Sequence, residues 1–216
     1  MSLRKIIVLL AAVLVAALVG CATKDNTGRT LKPGHGIVEY QQVTTDGIKA
    51  VRAALNSLQS VSGYTNGVPS KSRAAFITQV ERLEVDSIQV RARSQAILAR
   101  GDAYFENWKE NLSRVEDPVV RELANEHRPQ LEASFGIIKS TSQRARQSFQ
   151  PFLAGLRQLR TAVENDPRAM VDGSGKDLAR TTAEHGRQVE QELSGIRYEL
   201  NRMLAMLKPA KPNLRH

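Results

Sequence analysis

The chain has 216 residues, of which 41% are hydrophobic and 25% charged, and 31 Lys and Arg against 22 Asp and Glu give a net charge of +9. This composition is typical of a globular or coiled-coil domain, and it excludes a disordered chain and a protein with several membrane spans. One cysteine excludes a disulfide framework and a thiolate metal cluster, and four scattered histidines argue against a histidine-rich metal site. We therefore expect neither a metal nor a cofactor.

The N-terminus has the layout of a secretory signal peptide. Arg4 and Lys5 precede fourteen uninterrupted apolar residues, Ile6–Val19. A helix needs about 20 apolar residues to cross a bilayer, so a permanent transmembrane anchor is the weaker alternative.

The apolar run ends in Leu18-Val19-Gly20-Cys21, and Cys21 is the only cysteine of the chain. This segment resembles the lipobox of bacterial lipoproteins, and the resemblance implies cleavage between Gly20 and Cys21 and acylation of Cys21. Two or more acyl chains anchor a protein stably, whereas one chain does so only marginally. Ala22 stands where Asp would favour retention in the inner membrane, which implies the outer membrane, facing the periplasm. The alternative is an ordinary secretory signal that happens to contain a cysteine.

These features predict four segments. Residues 1–20 are a lipoprotein signal peptide, 21–36 the acylated cysteine and a flexible tether, 37–208 a helical domain and 209–216 a basic tail. The tether is polar, contains glycine and proline, and lacks a hydrophobic period. Removal of residues 1–20 lowers the net charge only from +9 to +7, so the basic excess belongs to the mature chain.

Hydrophobic spacing after the tether is helical almost throughout. A first, shorter helix is expected from about Ile37 to Val61, and a second begins at a predicted N-cap, Ser70. The second helix carries a heptad seam and, beside it, a line of mostly small residues along which we expect a neighbouring helix to approach closely. The seam consists of Phe76, Leu83, Val90, Ile97 and Tyr104, and the second line of Val80, Ser87, Ser94, Gly101 and Trp108.

The rest of the domain is predicted to form two more long helices. Asp117 as N-cap and Pro118 as first helical residue mark the start of the third, which we expect to run to Asn165 with a kink near Pro151. The last helix is expected from about Lys176 to Leu207. The predicted fold is all-α, an elongated antiparallel helical bundle or coiled coil of three long helices plus a shorter first helix, with helices of up to about 45 residues, or roughly 65–70 Å.

Several segments resemble a family of bacterial helical-bundle lipoproteins that is catalogued only as a domain of unknown function. They are Tyr104-Phe-Glu-Asn-Trp108, Asp117-Pro118, Phe149-Gln-Pro-Phe-Leu153 and the last amphipathic helix, and the likeness covers roughly residues 38–207. The resemblance implies a helical, membrane-tethered periplasmic protein. The family supplies no catalytic residues to carry over.

Residues 133–163 contain no acid and five bases: Lys139, Arg144, Arg146, Arg157 and Arg160. Of these, Lys139, Arg146 and Arg160 differ by multiples of seven and form a basic stripe beside the seam. We expect this stripe to pair with Glu192 and Glu199 of the last helix, as coiled-coil partners do. The alternative is an anion-binding face for lipopolysaccharide phosphates, phospholipid head groups or an acidic protein.

The sequence contains no phosphate loop, nucleophile elbow or pair of metal ligands at helical spacing. His127 and His185 are expected to be hydrogen-bonded core residues, and Tyr104 and Trp108 to anchor one end of the domain. We therefore predict a non-enzymatic protein without catalytic residues that acts as an interaction or scaffolding module, bound to an envelope protein or to itself. Binding of anionic lipid is the alternative, and secretion excludes nucleic acid.

Overall fold

The computed structural model describes residues 35–208, and six α-helices account for almost all of this range, which contains no strand. The all-α prediction is confirmed. The signal peptide, Cys21 and the basic tail lie outside the described residues. The helices are α1 (His35–Ser62), α2 (Ser70–Glu106), α3 (Trp108–Ser113), α4 (Pro118–Glu126), α5 (Arg128–Asn165) and α6 (Gly173–Met206).

The four long helices pack unequally against one another. α1 lies against both α2 and α6, and α5 packs chiefly against α6, whereas α2 and α5 touch only sparsely. Arg100 of α2 donates to Glu39 of α1 at 2.8 Å, and Gln41 of α1 donates to Asn201 of α6 at 2.7 Å. The beginning of α1 therefore lies beside the ends of α2 and α6.

The core consists of two apolar clusters along these helices. One surrounds Phe76 and Phe152, which are both fully buried, and the other contains Trp108 and Leu131. The predicted seam of α2 is buried at Phe76, Leu83 and Ile97, but Val90 and Tyr104 are only half-buried. The seam is thus incompletely covered in its middle.

The predicted start of the third helix is confirmed, and the predicted N-cap of the second is wrong. Asp117 Oδ1 accepts hydrogen bonds from the backbone N–H groups of Val119 at 2.9 Å and Val120 at 3.3 Å, with Pro118 as the first helical residue. Ser70 is itself the first residue of α2, because the extended Pro69 occupies the cap position. Asp172 caps α6 by accepting from the N–H of Gly175 at 2.7 Å, so α6 starts three residues before the predicted Lys176.

Two predicted boundaries are also wrong. The helix expected from Pro118 to Asn165 is interrupted at His127. Pro129 lies in the first turn of α5, where backbone N–H groups have no intrahelical acceptor and proline is therefore tolerated. The longest helices therefore have 37 and 38 residues instead of about 45, and α5 continues through Pro151. α1 begins at His35, so His35 and Gly36 belong to the helix and not to the tether.

Candidate functional site

A cleft of about 1330 Å³ lies between α2 and α5, where these helices touch only sparsely. α2 lines it from Leu83 to Asp102 and α5 from Gly136 to Arg157, and α1 and α6 form its floor. The stretch of α2 corresponds to about 28 Å of helix. The volume exceeds the roughly 300–1,000 Å³ of pockets that hold drug-sized ligands.

Ion pairs bridge the cleft at both ends. Lys139 Nζ lies 2.6 Å from Asp102 Oδ1, and Arg157 Nε lies 2.6 Å from Glu84 Oε1, with Arg160 as a second, longer partner of Glu84 at 3.6 Å. Both bridges have the same antiparallel register, since residue numbers rise on α2 as they fall on α5. The partners of Lys139 and Arg160 are therefore acids of α2, and the prediction of Glu192 and Glu199 as partners is wrong.

Glu192 and Glu199 are buried on a different side of α5 from the basic stripe. Glu192 Oε1 accepts hydrogen bonds from Gln188 at 2.9 Å and from Ser148 of α5 at 3.3 Å. Glu199 has a guanidinium nitrogen of Arg202, on its own helix, at 3.6 Å. Glu192 contacts the side of α5 that carries Ser148, and Glu199 pairs within α6, so neither is a partner of the stripe that faces α2.

Arg146 is the member of the basic stripe that remains uncompensated within residues 35–208, where it forms no ion pair. It is exposed and lines the cleft. Arg91, on the α2 wall, likewise lines the cleft without an ion pair in the described range. The structure thus separates the three predicted anion-binding residues into two paired bases, Lys139 and Arg160, and one available cation, Arg146.

The lining of the cleft changes from apolar to polar along its length. The half that ends at the Glu84–Arg157 bridge is richer in apolar side chains, with Val85, Ile88, Val90, Phe149 and Leu153, although Asp86, Ser87 and Gln150 also line it. The half that ends at the Asp102–Lys139 bridge is richer in polar side chains, with Tyr40, Thr44, Ser94, Gln95, Ser142 and Gln143, although Leu98 and Ile196 also line it. Val85 and Ile88 are 57% and 59% exposed, so the apolar half presents an uncovered lip to solvent.

Tyr40 lies on the floor of the polar half, where its hydroxyl is 2.8 Å from the hydroxyl of Ser142. Burial raises the pKa of Tyr40 above its ordinary value of 10.0, and hydrogen bonds to Ser142 and Ser94 partly offset this rise. The phenol is therefore protonated at neutral pH, and it donates to Ser142 Oγ, because the hydroxyl of Ser142 donates its own proton to the carbonyl of Ile138 at 2.7 Å.

The sequence signal for the cleft was the line of small residues on α2, which we interpreted as a surface for close helix approach. That interpretation holds at Gly101, where an added Cβ would collide with the ring of Phe135. Ser87 and Ser94 instead line the cleft and are only half-buried. Small side chains leave a void where the neighbouring helix is sparsely packed, and they allow close contact where two backbones meet. A line of small residues is therefore compatible with either arrangement.

The aromatic residues at the end of α2 and the start of α3 pack together in the apolar cluster that contains Trp108 and Leu131. Trp108 is 3% exposed, and its ring lies 5.5 Å from Tyr104 and 5.7 Å from Phe105, measured between centroids. The guanidinium carbon of Arg128 lies 5.4 Å from the Trp108 centroid, in the range of a cation–π contact.

The two predicted core histidines are half-buried, His127 between α4 and α5 and His185 on α6. Residues 35–208 contain no cluster of three metal-ligating side chains. No helix within the same range is both long and apolar enough to cross a membrane.

No protein-family model, curated protein or solved structure matches this chain. The resemblance to a family of helical-bundle lipoproteins therefore stays a prediction from sequence.

Proposed function

We propose that this chain is a non-enzymatic lipoprotein of the bacterial outer membrane, held on the periplasmic face by acyl chains on Cys21. In this proposal α1, α2, α5 and α6 form an elongated antiparallel bundle that works as an interaction module. The lipobox at the single cysteine supports the anchor. The observation that carries the binding role is the open cleft between α2 and α5 with its exposed apolar lip, Val85 and Ile88.

An uncovered apolar lip beside a large cleft favours a partner that covers it, because burial of apolar surface stabilises by about 25 cal/mol per Å² removed from water. The partner is either an envelope protein, a second copy of the chain or an anionic lipid. Arg146 favours the lipid as the second candidate function, since it places an uncompensated positive charge beside apolar side chains.

Metabolic labelling with a fatty acid tests the anchor. The wild-type chain is expected to incorporate the label and to begin at Cys21 once residues 1–20 are removed. Cys21→Ala is expected to abolish the label and to leave residues 1–20 attached, because the cysteine sulfur is the acylation site. Thr23→Ala, two residues away, is the matched control and is expected to behave as wild type. An unlabelled wild-type chain, or equal labelling of Cys21→Ala, contradicts the proposal.

A further inference from the structure

The polarity gradient of the cleft matches an amphiphile. We infer that the cleft binds an anionic membrane phospholipid. This inference deepens the proposed binding function and rests on it, because attachment to a membrane brings the cleft close to phospholipid. An acyl chain lies in the half bordered by Val85, Ile88 and Leu153, and the phosphate lies beside Arg146.

The apolar half has the length of an acyl chain. α5 rises about 16 Å between Arg146 and Arg157. One leaflet of a bilayer is about 15 Å thick, half of its hydrocarbon core of about 30 Å. Phe149 and Leu153 border this stretch on α5, and Val90 borders it on α2. A chain that starts beside Arg146 therefore ends near the Glu84–Arg157 bridge.

The charges in the cleft favour an anionic head group near Arg146. Two of the lining acids, Glu84 and Asp102, are neutralised by Arg157 and Lys139. The third, Asp86, lies close to Glu84 along α2, in the apolar half and away from Arg146. Guanidinium groups bind phosphate through two parallel hydrogen bonds, so Arg146, assisted by Arg91, is suited to a phosphodiester.

The polar half completes the site for a head group. Hydroxyl and amide side chains of Ser94, Gln95 and Gln143 line the cleft from Arg146 towards Lys139. Such groups supply hydrogen bonds to phosphate and glycerol oxygens. Side chains that form hydrogen bonds are thus more frequent on the Lys139 side of Arg146, and apolar side chains are more frequent on the Arg157 side.

The ion pairs that join α2 and α5 at both ends of the cleft argue against an inserted partner helix. Side-chain bridges join α2 and α5 at both ends of the cleft, at 2.6 Å for Asp102–Lys139 and for Glu84–Arg157. An α-helix with its side chains is about 10–12 Å in diameter and would have to displace these bridges to reach the floor. A flexible acyl chain enters between the bridges, and the cleft of about 1330 Å³ accommodates a ligand larger than a drug molecule.

A photoactivatable fatty-acid analogue that cells incorporate into their phospholipids tests this inference. After irradiation of producing cells, the full-length protein is purified and its crosslinked peptides are identified by mass spectrometry. We expect adducts of phospholipid mass on the peptides of α2 and α5 that line the cleft. Val38 and Tyr198, which are 54% and 67% exposed and lie outside the cleft, are internal controls and should remain unlabelled.

Two variants, each with a matched control, locate the bound lipid. Ser87→Trp fills the apolar half and Arg146→Glu reverses the charge at the head group. Each is expected to lower cleft crosslinking per chain by at least about tenfold, the factor that 1.4 kcal/mol of binding energy represents. Gln89→Trp and Arg93→Glu change exposed α2 residues outside the cleft and should leave crosslinking unchanged. Arg146 is an exposed side chain, so its replacement keeps the fold, which far-UV circular dichroism checks.

The inference would be overturned if the peptides of the cleft were labelled no more than those of Val38 and Tyr198, or if the adduct were a free fatty acid or a polypeptide. Crosslinking of Arg146→Glu at the wild-type level would also overturn it. The acyl label on the Cys21 peptide is read from the same spectra. Cleft adducts without a Cys21 label would therefore refute the anchor and leave the lipid site standing, and a Cys21 label without cleft adducts would refute the site alone.

Discussion

Replacing Phe152 by alanine is expected to lower the free energy of unfolding by about 3–5 kcal/mol. Phe152 is completely buried on α5 within the apolar cluster that contains Phe76 and Leu156. Truncation removes the ring from this cluster and leaves a cavity that the surrounding long helices cannot fill by collapse. Urea denaturation of the purified chain, followed by far-UV circular dichroism, measures the loss.

Ile88→Ala is the matched control for this prediction. Ile88 is also a large apolar residue in the middle of a long helix, but it is 59% exposed on the lip of the cleft. Its truncation should change the free energy of unfolding by less than about 0.5 kcal/mol. A loss of several kcal/mol for Ile88→Ala, or none for Phe152→Ala, would contradict the position of the core.

The second large effect is expected for Gly186→Leu, which should destabilise the chain by about 1–3 kcal/mol through overpacking. A Cβ at Gly186 would lie 2.6 Å from Phe152 Cε2 and 2.7 Å from Leu55 Cδ2. Phe152 is enclosed and cannot move aside. The steric cost therefore exceeds the roughly 1 kcal/mol that replacing a helical glycine otherwise contributes.

Gly136→Leu supplies the control for the same chemical change. Gly136 lies within α5 and nothing stands within 4 Å of an added Cβ, so leucine should stabilise the helix by up to about 1 kcal/mol. The double variant Gly186→Leu/Phe152→Ala should lose less free energy of unfolding than the two single variants together, by about 0.5–3 kcal/mol, because the leucine enters the space that the phenylalanine ring leaves. Strict additivity would show that Gly186 and Phe152 do not touch.

Local signals predicted some helix starts correctly. Asp117-Pro118 combines a capping carboxylate with a residue that fits only the first turn, and both are found where expected. The apolar spacing continues across Pro129 and therefore predicts a single helix through this residue. The helix instead ends before His127, and a new helix begins at Arg128. Whether a helix continues through such a site depends on tertiary packing, which the spacing of apolar residues does not reveal.

The cleft could not be predicted, because it depends on how far apart α2 and α5 lie. Ser87 and Ser94 are compatible both with close packing and with a void. The sequence also could not show that acids of α2 are the partners of Lys139 and Arg160, because this too depends on how the helices are arranged. Glu192 has heptad spacing relative to Glu199, but the faces of α5 that meet α2 and α6 are set by three-dimensional packing.

The members of the basic stripe have two different roles. Lys139 pairs with Asp102 and Arg160 with Glu84, and an exposed pair such as Lys139–Asp102 contributes about 0–1 kcal/mol. Their structural effect is to link α2 and α5 at the two ends of the cleft. Arg146 lines the middle of the cleft and forms no ion pair within residues 35–208, and we propose that it binds the lipid phosphate.

The intact mass of the mature chain, purified from cell envelopes and measured with bound lipid retained, tests the central claim most directly. We expect a polypeptide that begins at Cys21, carries the added mass of covalent acyl chains and binds one phospholipid. A mass that corresponds to an unmodified polypeptide without bound lipid would contradict both the anchor and the lipid-binding cleft.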